Sequence, residues 1–125
     1  WEGMTWKEIE KNYHEDFVLW DKNPAEHTPT GGEKREDCAA RCAKAMEQIL
    51  AKTPAGQDAA VVAHGGILVF AALWLTRKSQ EKNEIIVKNA SITTIEYDRE
   101  SGTGTILCLN DVSHLGRHCS GEGII

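Results

Sequence analysis

The residues at positions 61–70 read Val-Val-Ala-His-Gly-Gly-Ile-Leu-Val-Phe. An apolar run stops at one ionisable side chain, His64, two glycines follow, and a second apolar run begins. Gly65 and Gly66 have no side chains to bar approach, so a ligand oxygen can reach their backbone N–H groups. A helix starting there adds unsatisfied N–H groups and a partial positive charge. A protonated His64 adds a donor and a full charge. Such a set favours an anion, most simply a phosphate. The same three residues also fit a plainer role, a hydrogen-bonded histidine at a strand–helix turn.

The remaining reactive side chains make weaker patterns. Cys38 and Cys42 are one helical turn apart in an alanine-rich segment, and Cys108 and Cys119 lie far along the chain. A zinc site would need two further ligands at a recognisable spacing, and His118-Cys119 supplies no such motif. The simpler expectation is small buried thiols in a reducing cytoplasm, with no metal and no cofactor. His14 and His27 sit in polar contexts and are expected at the surface. Arg41, Arg77, Arg99 and Arg117 are expected on solvated faces.

The elements that must position His64 follow from periodicity. Trp6, Ile9, Tyr13, Phe17 and Trp20 recur at steps of three and four, which predicts one helix face or two short consecutive helices over residues 5–20. Thr5 and Glu8 fit a capping box. Residues 21–32 are rich in turn formers and read as a loop. Thr30 and Glu33 could form a second capping box, opening a helix that runs to about Lys52. Its stripe is Cys38, Cys42, Ala45, Met46 and Ile49, and Thr-Pro-Ala-Gly at 53–56 ends it. Residues 58–63 are apolar without alternation, as in a parallel strand covered on both faces. Gly65-Gly66 makes the turn, and residues 67–77 read as a helix packed on that sheet. The β-branched residues after Glu84, the turn at 99–104 and the strand at 105–110 predict a hairpin. The tail at 120–125 is expected to be loose. The predicted fold class is α/β, a mostly parallel sheet covered by helices.

Composition sets outer limits. The chain has 125 residues, 41% apolar and 26% charged, enough for one globular domain. A net charge of −5 lacks the basic footprint of a nucleic-acid binder. The longest apolar run, residues 67–75, is far short of the ~20 residues of a membrane span, so neither nucleic acid nor membrane is an expected partner. The sequence begins with Trp1 rather than Met, and residues preceding it in the native protein are expected.

Five stretches carry a resemblance: Trp-Glu-Gly-Met-Thr-Trp-Lys-Glu-Ile at 1–9, Thr-Pro-Thr-Gly-Gly-Glu-Lys at 28–34, residues 61–74 around His64, Val-Lys-Asn-Ala-Ser-Ile-Thr-Thr-Ile-Glu-Tyr-Asp at 87–98, and Leu-Asn-Asp-Val-Ser-His-Leu at 109–115. In this order and spacing they resemble the C-terminal portion of the histidine phosphatase superfamily, the phosphoglycerate mutase-like proteins, with the flavour of its α-ribazole-type and broad-specificity phosphatases.

The resemblance implies that residues 1–125 are the C-terminal portion of one domain, a three-layer sandwich with a mostly parallel sheet flanked by helices. It implies metal-independent hydrolysis of a small phosphorylated metabolite, or a mutase-like transfer, in two steps. A histidine in an Arg-His-Gly motif attacks phosphorus and becomes phosphohistidine while a glutamate protonates the leaving oxygen; the glutamate then activates water. Two arginines and a second histidine hold the phosphoryl oxygens, where charge develops. That second histidine maps onto His64, and Gly65 onto the adjoining backbone turn.

This sequence also departs from the family pattern. No Arg-His-Gly occurs; the only Arg-His pair, Arg117-His118, is followed by Cys119. The nucleophile, the glutamate and the phosphate arginines all belong upstream of residue 1, and Lys34 stands where serine is usual. Glu33 matches a family glutamate that capping or loop bracing explains equally well. Asn89 and Ser91 approach the pocket from a neighbouring strand or simply begin that strand, and His114 matches a structural position. The expected partner of the truncated sheet is the missing N-terminal segment or a second copy of the chain. The alternative expectation is a non-catalytic phosphate-binding or interaction module.

Overall fold

A computed structural model describes residues 1–24, 26–78 and 85–116. The elements are α1 (Trp6–Asn12), α2 (His14–Lys22), α3 (Arg35–Lys52), α4 (Gly65–Leu75), β1 (Ile92–Asp98) and β2 (Thr103–Asp111), with a 3-10 turn at Ser113–Leu115. They fall into two compact units, Trp1–Arg41 and Cys42–Ile125. Among the described residues no helix is long and apolar enough to cross a membrane. The expected loose tail, with Arg117, His118 and Cys119, lies outside the described residues.

In the first unit the single amphipathic stripe is cut into two helices at Tyr13. The Thr5–Glu8 capping box forms in full and fixes the start of α1. Ile9 is buried, and Trp1, Trp6, Phe17 and Trp20 make a tilted and stacked aromatic cluster with ring centroids 5.6–6.5 Å apart. The helix α2 runs to Lys22, so the loop starts later than residue 21. The second capping box is not made. Thr30 gives its backbone N–H to Asp16 instead, at 2.7 Å, and α3 starts only at Arg35.

In the second unit, α4 is apolar nearly all round and is correspondingly buried at Phe70, Ala71, Ala72 and Leu73. Ala72 and Leu73 meet Ile85, with Val69, Val87, Ile95 and Ile106 packed around them. Cys42 and Met46 bury the α3 stripe, whereas Ala45 is exposed; the Cys42 thiol lies 3.6 Å from the Ile67 carbonyl oxygen. The helix ends at Leu75, two residues before the expected Arg77. Arg77 takes a left-handed φ of 55°. Its N–H bonds to the Trp74 carbonyl and that of Lys78 to Leu73, a Schellman closure without glycine.

The hairpin forms as expected. β1 and β2 pair antiparallel, with Ile95 opposite Ile106 and Tyr97 opposite Gly104. Asp98 closes the turn by accepting from the backbone N–H groups of Glu100 and Ser101, and Gly102 supplies the left-handed φ.

Three expectations differ from what the described residues show. Residues 58–63 form no ladder and are exposed; Val62 is 96% accessible. An apolar strand covered on both faces needs flanking strands and helices, and among the described residues nothing pairs with it. The described sheet is therefore the two-stranded antiparallel hairpin alone, within an α/β chain of order α-α-α-α-β-β. Gly65 and Gly66 do not precede the helix as a separate turn but form its first two residues. Finally, Cys108 is exposed, not buried; the register shift pairs it with the exposed Thr94.

Candidate functional site

His64 is the N-cap of α4. Its extended backbone, φ −70° and ψ 150°, is the usual cap geometry, yet its imidazole makes no capping bond to the helix. Its carbonyl oxygen accepts from Ile67 and Leu68 at 3.0 and 3.1 Å, which starts the helix while the ring stays exposed. The first turn carries no acidic residue, so no carboxylate of that turn competes with an incoming anion. Among the described residues, and apart from chain neighbours and the helix's own backbone, no atom lies within 4 Å of a Cβ placed on Gly66, and the nearest to one on Gly65 is the Val87 carbonyl oxygen at 3.7 Å. The turn thus has an open side at Gly66 and a backbone wall at Gly65. A helix N-terminus and an exposed imidazole are neighbours here, a combination that suits the oxygens of a phosphoryl group.

The wall is the extended segment 85–88, which Ile85 and Val87 anchor on the α4 core. Asn110, a residue that the sequence did not single out, holds this segment. Its Oδ1 accepts from the Lys88 N–H at 2.8 Å, and its Nδ2 donates to the Ile86 carbonyl oxygen. Ser91 Oγ lies 3.0 Å from the same Oδ1 and donates to the Lys88 carbonyl at 2.7 Å. Ser91 is therefore part of this brace, and Asn89 sits in an exposed turn. The available signal for Asn110 was its type: asparagine at the end of a strand tolerates the left-handed φ of 58° found there.

A sequence model of the histidine phosphatase superfamily (branch 1) matches residues 1–112. The chain belongs to this superfamily. It is also 29% identical over 117 residues to a broad-specificity phosphatase of Saccharomyces cerevisiae, an alignment that takes in 92% of this chain and 48% of the yeast protein. The chain thus spans about half the length of the curated relative it matches.

Within this superfamily member the other sequence candidates have definite partners. Glu33 braces its loop: Arg41 Nε and Nη2 donate to its two carboxylate oxygens at 2.9 and 2.8 Å, a bidentate pair. That pairing holds the Glu33 carboxyl below its usual range, while burial pushes the neighbouring Cys38 thiol up. His27 is half-buried rather than at the surface, its Nε2 2.6 Å from Asp16 Oδ1. His14 and His114 are exposed. Arg77 and Arg99 are not simply solvated: Arg77 Nε donates to the Gly102 carbonyl at 2.9 Å and its guanidinium lies 4.8 Å over Trp74, and Arg99 donates to the carbonyls of Leu50 and Thr53 at the end of α3. With Glu47, Leu50 and Tyr97 these arginines line an open depression of about 310 Å³, beside Trp74 near the C-terminal end of α4 and so remote from His64. Glu33 and Arg41 belong to the first unit and His64 to the second.

Proposed function

We propose that residues 1–125 are the C-terminal portion of a single three-layer phosphatase domain with a mostly parallel sheet, and that His64 and Gly65 supply half of its phosphoryl site. The carrying observation is the open, uncapped N-terminus of α4 behind an exposed histidine, in a chain of the histidine phosphatase superfamily. The exposed apolar segment 58–63, which leads straight into that turn, supports a strand whose neighbours lie in the rest of the domain or, less simply, in a second copy. The substrate class is a small phosphorylated metabolite in the cytoplasm. The yeast relative's broad specificity supports phosphomonoester hydrolysis over mutase transfer.

The reaction needs no metal. A histidine outside these residues attacks phosphorus, a P–N bond forms and the ester P–O bond breaks, with a carboxylic acid protonating the leaving oxygen. Water then attacks the phosphohistidine, giving up its proton to the carboxylate; a P–O bond forms, the P–N bond breaks, and phosphate and the free histidine are released. His64 and the Gly65–Gly66 N–H groups meet the negative charge that grows on the phosphoryl oxygens. A second reading is a non-catalytic phosphate-binding module, in which the exposed His64 at the head of α4 holds an anion without turning it over. Turnover of an aryl phosphate by the full-length protein separates the two. We expect His64→Ala there to lower kcat by about 10²–10³ with a smaller change in KM, because the donor acts mainly in the transition state. No turnover by the unsubstituted full-length protein overturns the enzyme reading, and an unchanged kcat in the variant makes His64 a structural cap only.

A further inference from the structure

We infer that Asn110 is a positioning residue for the His64 turn, its side-chain amide standing in for a neighbouring strand along segment 86–88; this rests on the phosphoryl-site reading above. In an extended chain the C=O of one residue and the N–H of the residue two further on face the same side, and the polar groups of the residue between them face the other. Asn110 meets the first side, donating to the Ile86 carbonyl and accepting from the Lys88 N–H. Those are the two bonds a paired strand would make. Val87 is therefore turned the other way, and its carbonyl oxygen stands 3.7 Å from the Cβ position of Gly65. The amide of Asn110 thus sets where the wall of the turn stands.

The hairpin explains why a side chain does this. Its register shifts between Ile92 and Thr94 and again between Thr94 and Ile95, so the ladder is irregular where β2 ends. The Asn110 backbone N–H goes to Thr93 Oγ1 at 3.2 Å, and its left-handed φ of 58° swings the side chain out of the regular strand. Such irregularities re-aim side chains beside functional sites. A carboxamide offers a donor and an acceptor on two separate atoms of one short planar group, whereas ionised aspartate lacks the donor and apolar residues lack both. The Ser91 hydroxyl, 3.0 Å from Oδ1, completes the brace.

The test uses the full-length protein with Asn110→Gly, which removes the amide without left-handed strain, and Asn110→Asp, which keeps the acceptor and loses the donor. Three readouts are taken: kcat and KM for an aryl phosphate, the thermal melt, and the imidazole NMR resonances of His64 across pH. Both variants are expected to remain folded. Asn110→Gly should lower kcat about 10- to 100-fold, the scale of a small misplacement at a reacting centre, with less change in KM. The His64 resonances should move, and Asn110→Asp should fall between the two. A folded Asn110→Gly with unchanged kcat and unchanged His64 resonances overturns the proposal. If glycine unfolds the protein, the same two readouts on Asn110→Asp decide. Should His64→Ala leave kcat unchanged, the site reading fails on its own, and the His64 resonances of the Asn110 variants still decide whether the brace controls the turn.

Discussion

At the scale of single residues, Asp16 shows how one carboxylate organises a loop. It lies in the first turn of α2, where the helix dipole favours negative charge. Its two oxygens accept from the Thr30 N–H and meet His27 Nε2. The Thr30 bond and, after it, the His27 bond hold its carboxyl below the usual range. The contribution to stability is therefore present above the ordinary aspartate pKa of ~3.9 and is lost as pH falls through the lower folded-state value. Asp16→Asn should lower the urea midpoint at pH 6 and flatten its fall between about pH 4 and pH 2. Parallel midpoint curves for the two proteins would show that the tie does not depend on the charge. His64 differs in kind: it closes no loop, and its exposed ring is available to a ligand.

At the scale of elements, the packing of the hairpin on α4 depends on the absence of one side chain. A Cβ on Gly104 would stand 2.7 Å from Ile95 Cγ2, 3.2 Å from the Leu75 carbonyl oxygen and 3.4 Å from that of Glu96. Two of the three are backbone atoms, which yield less readily than a flexible side-chain tip. Gly104→Ala should therefore destabilise the protein by about 1–3 kcal/mol, the usual cost of overpacking, with the loss read from denaturant unfolding. An unchanged midpoint would mean that the hairpin slides freely on the helix. The Arg77 anchors work at the same junction. Its Nε bond to Gly102 and its stacking on Trp74 fix the hairpin turn beside the end of α4, which helps a non-glycine residue hold the left-handed closing position.

At the scale of the whole molecule, the second unit carries apolar surface that a closed domain would cover. Val62 is 96% exposed, Ile86 71%, Leu107 60% and Ile92 54%, and residues 58–63 have no ladder partner among the described residues. Open backbone edges beside apolar side chains favour pairing with another chain. Residues 1–125 expressed alone should therefore self-associate, and should not hydrolyse an aryl phosphate, having no Arg-His-Gly nucleophile. Size exclusion with light scattering and a phosphatase assay test both. A monodisperse monomer with a cooperative melt would mean that this half closes its own core.

Local signals in the sequence determined the helices, the Thr5–Glu8 cap, the hairpin and the place of His64 at the head of an apolar helix, because 3.6-residue periodicity, capping pairs and turn residues act within a few positions. Family membership was legible too, since it rests on ordered stretches along the chain. Tertiary structure decided what depends on distant partners. Residues 58–63 have the composition of a buried strand, but a strand exists only where another pairs with it. Thr30 turned to Asp16 and not to α3, since a carboxylate fourteen residues away accepts its N–H. Arg77 and Arg99 have the composition of solvated faces, yet folding brings carbonyls within their reach. Asn110 gave no sign of its partners, because Ile86 and Lys88 lie more than twenty residues away and only the return of β2 sets its amide against them.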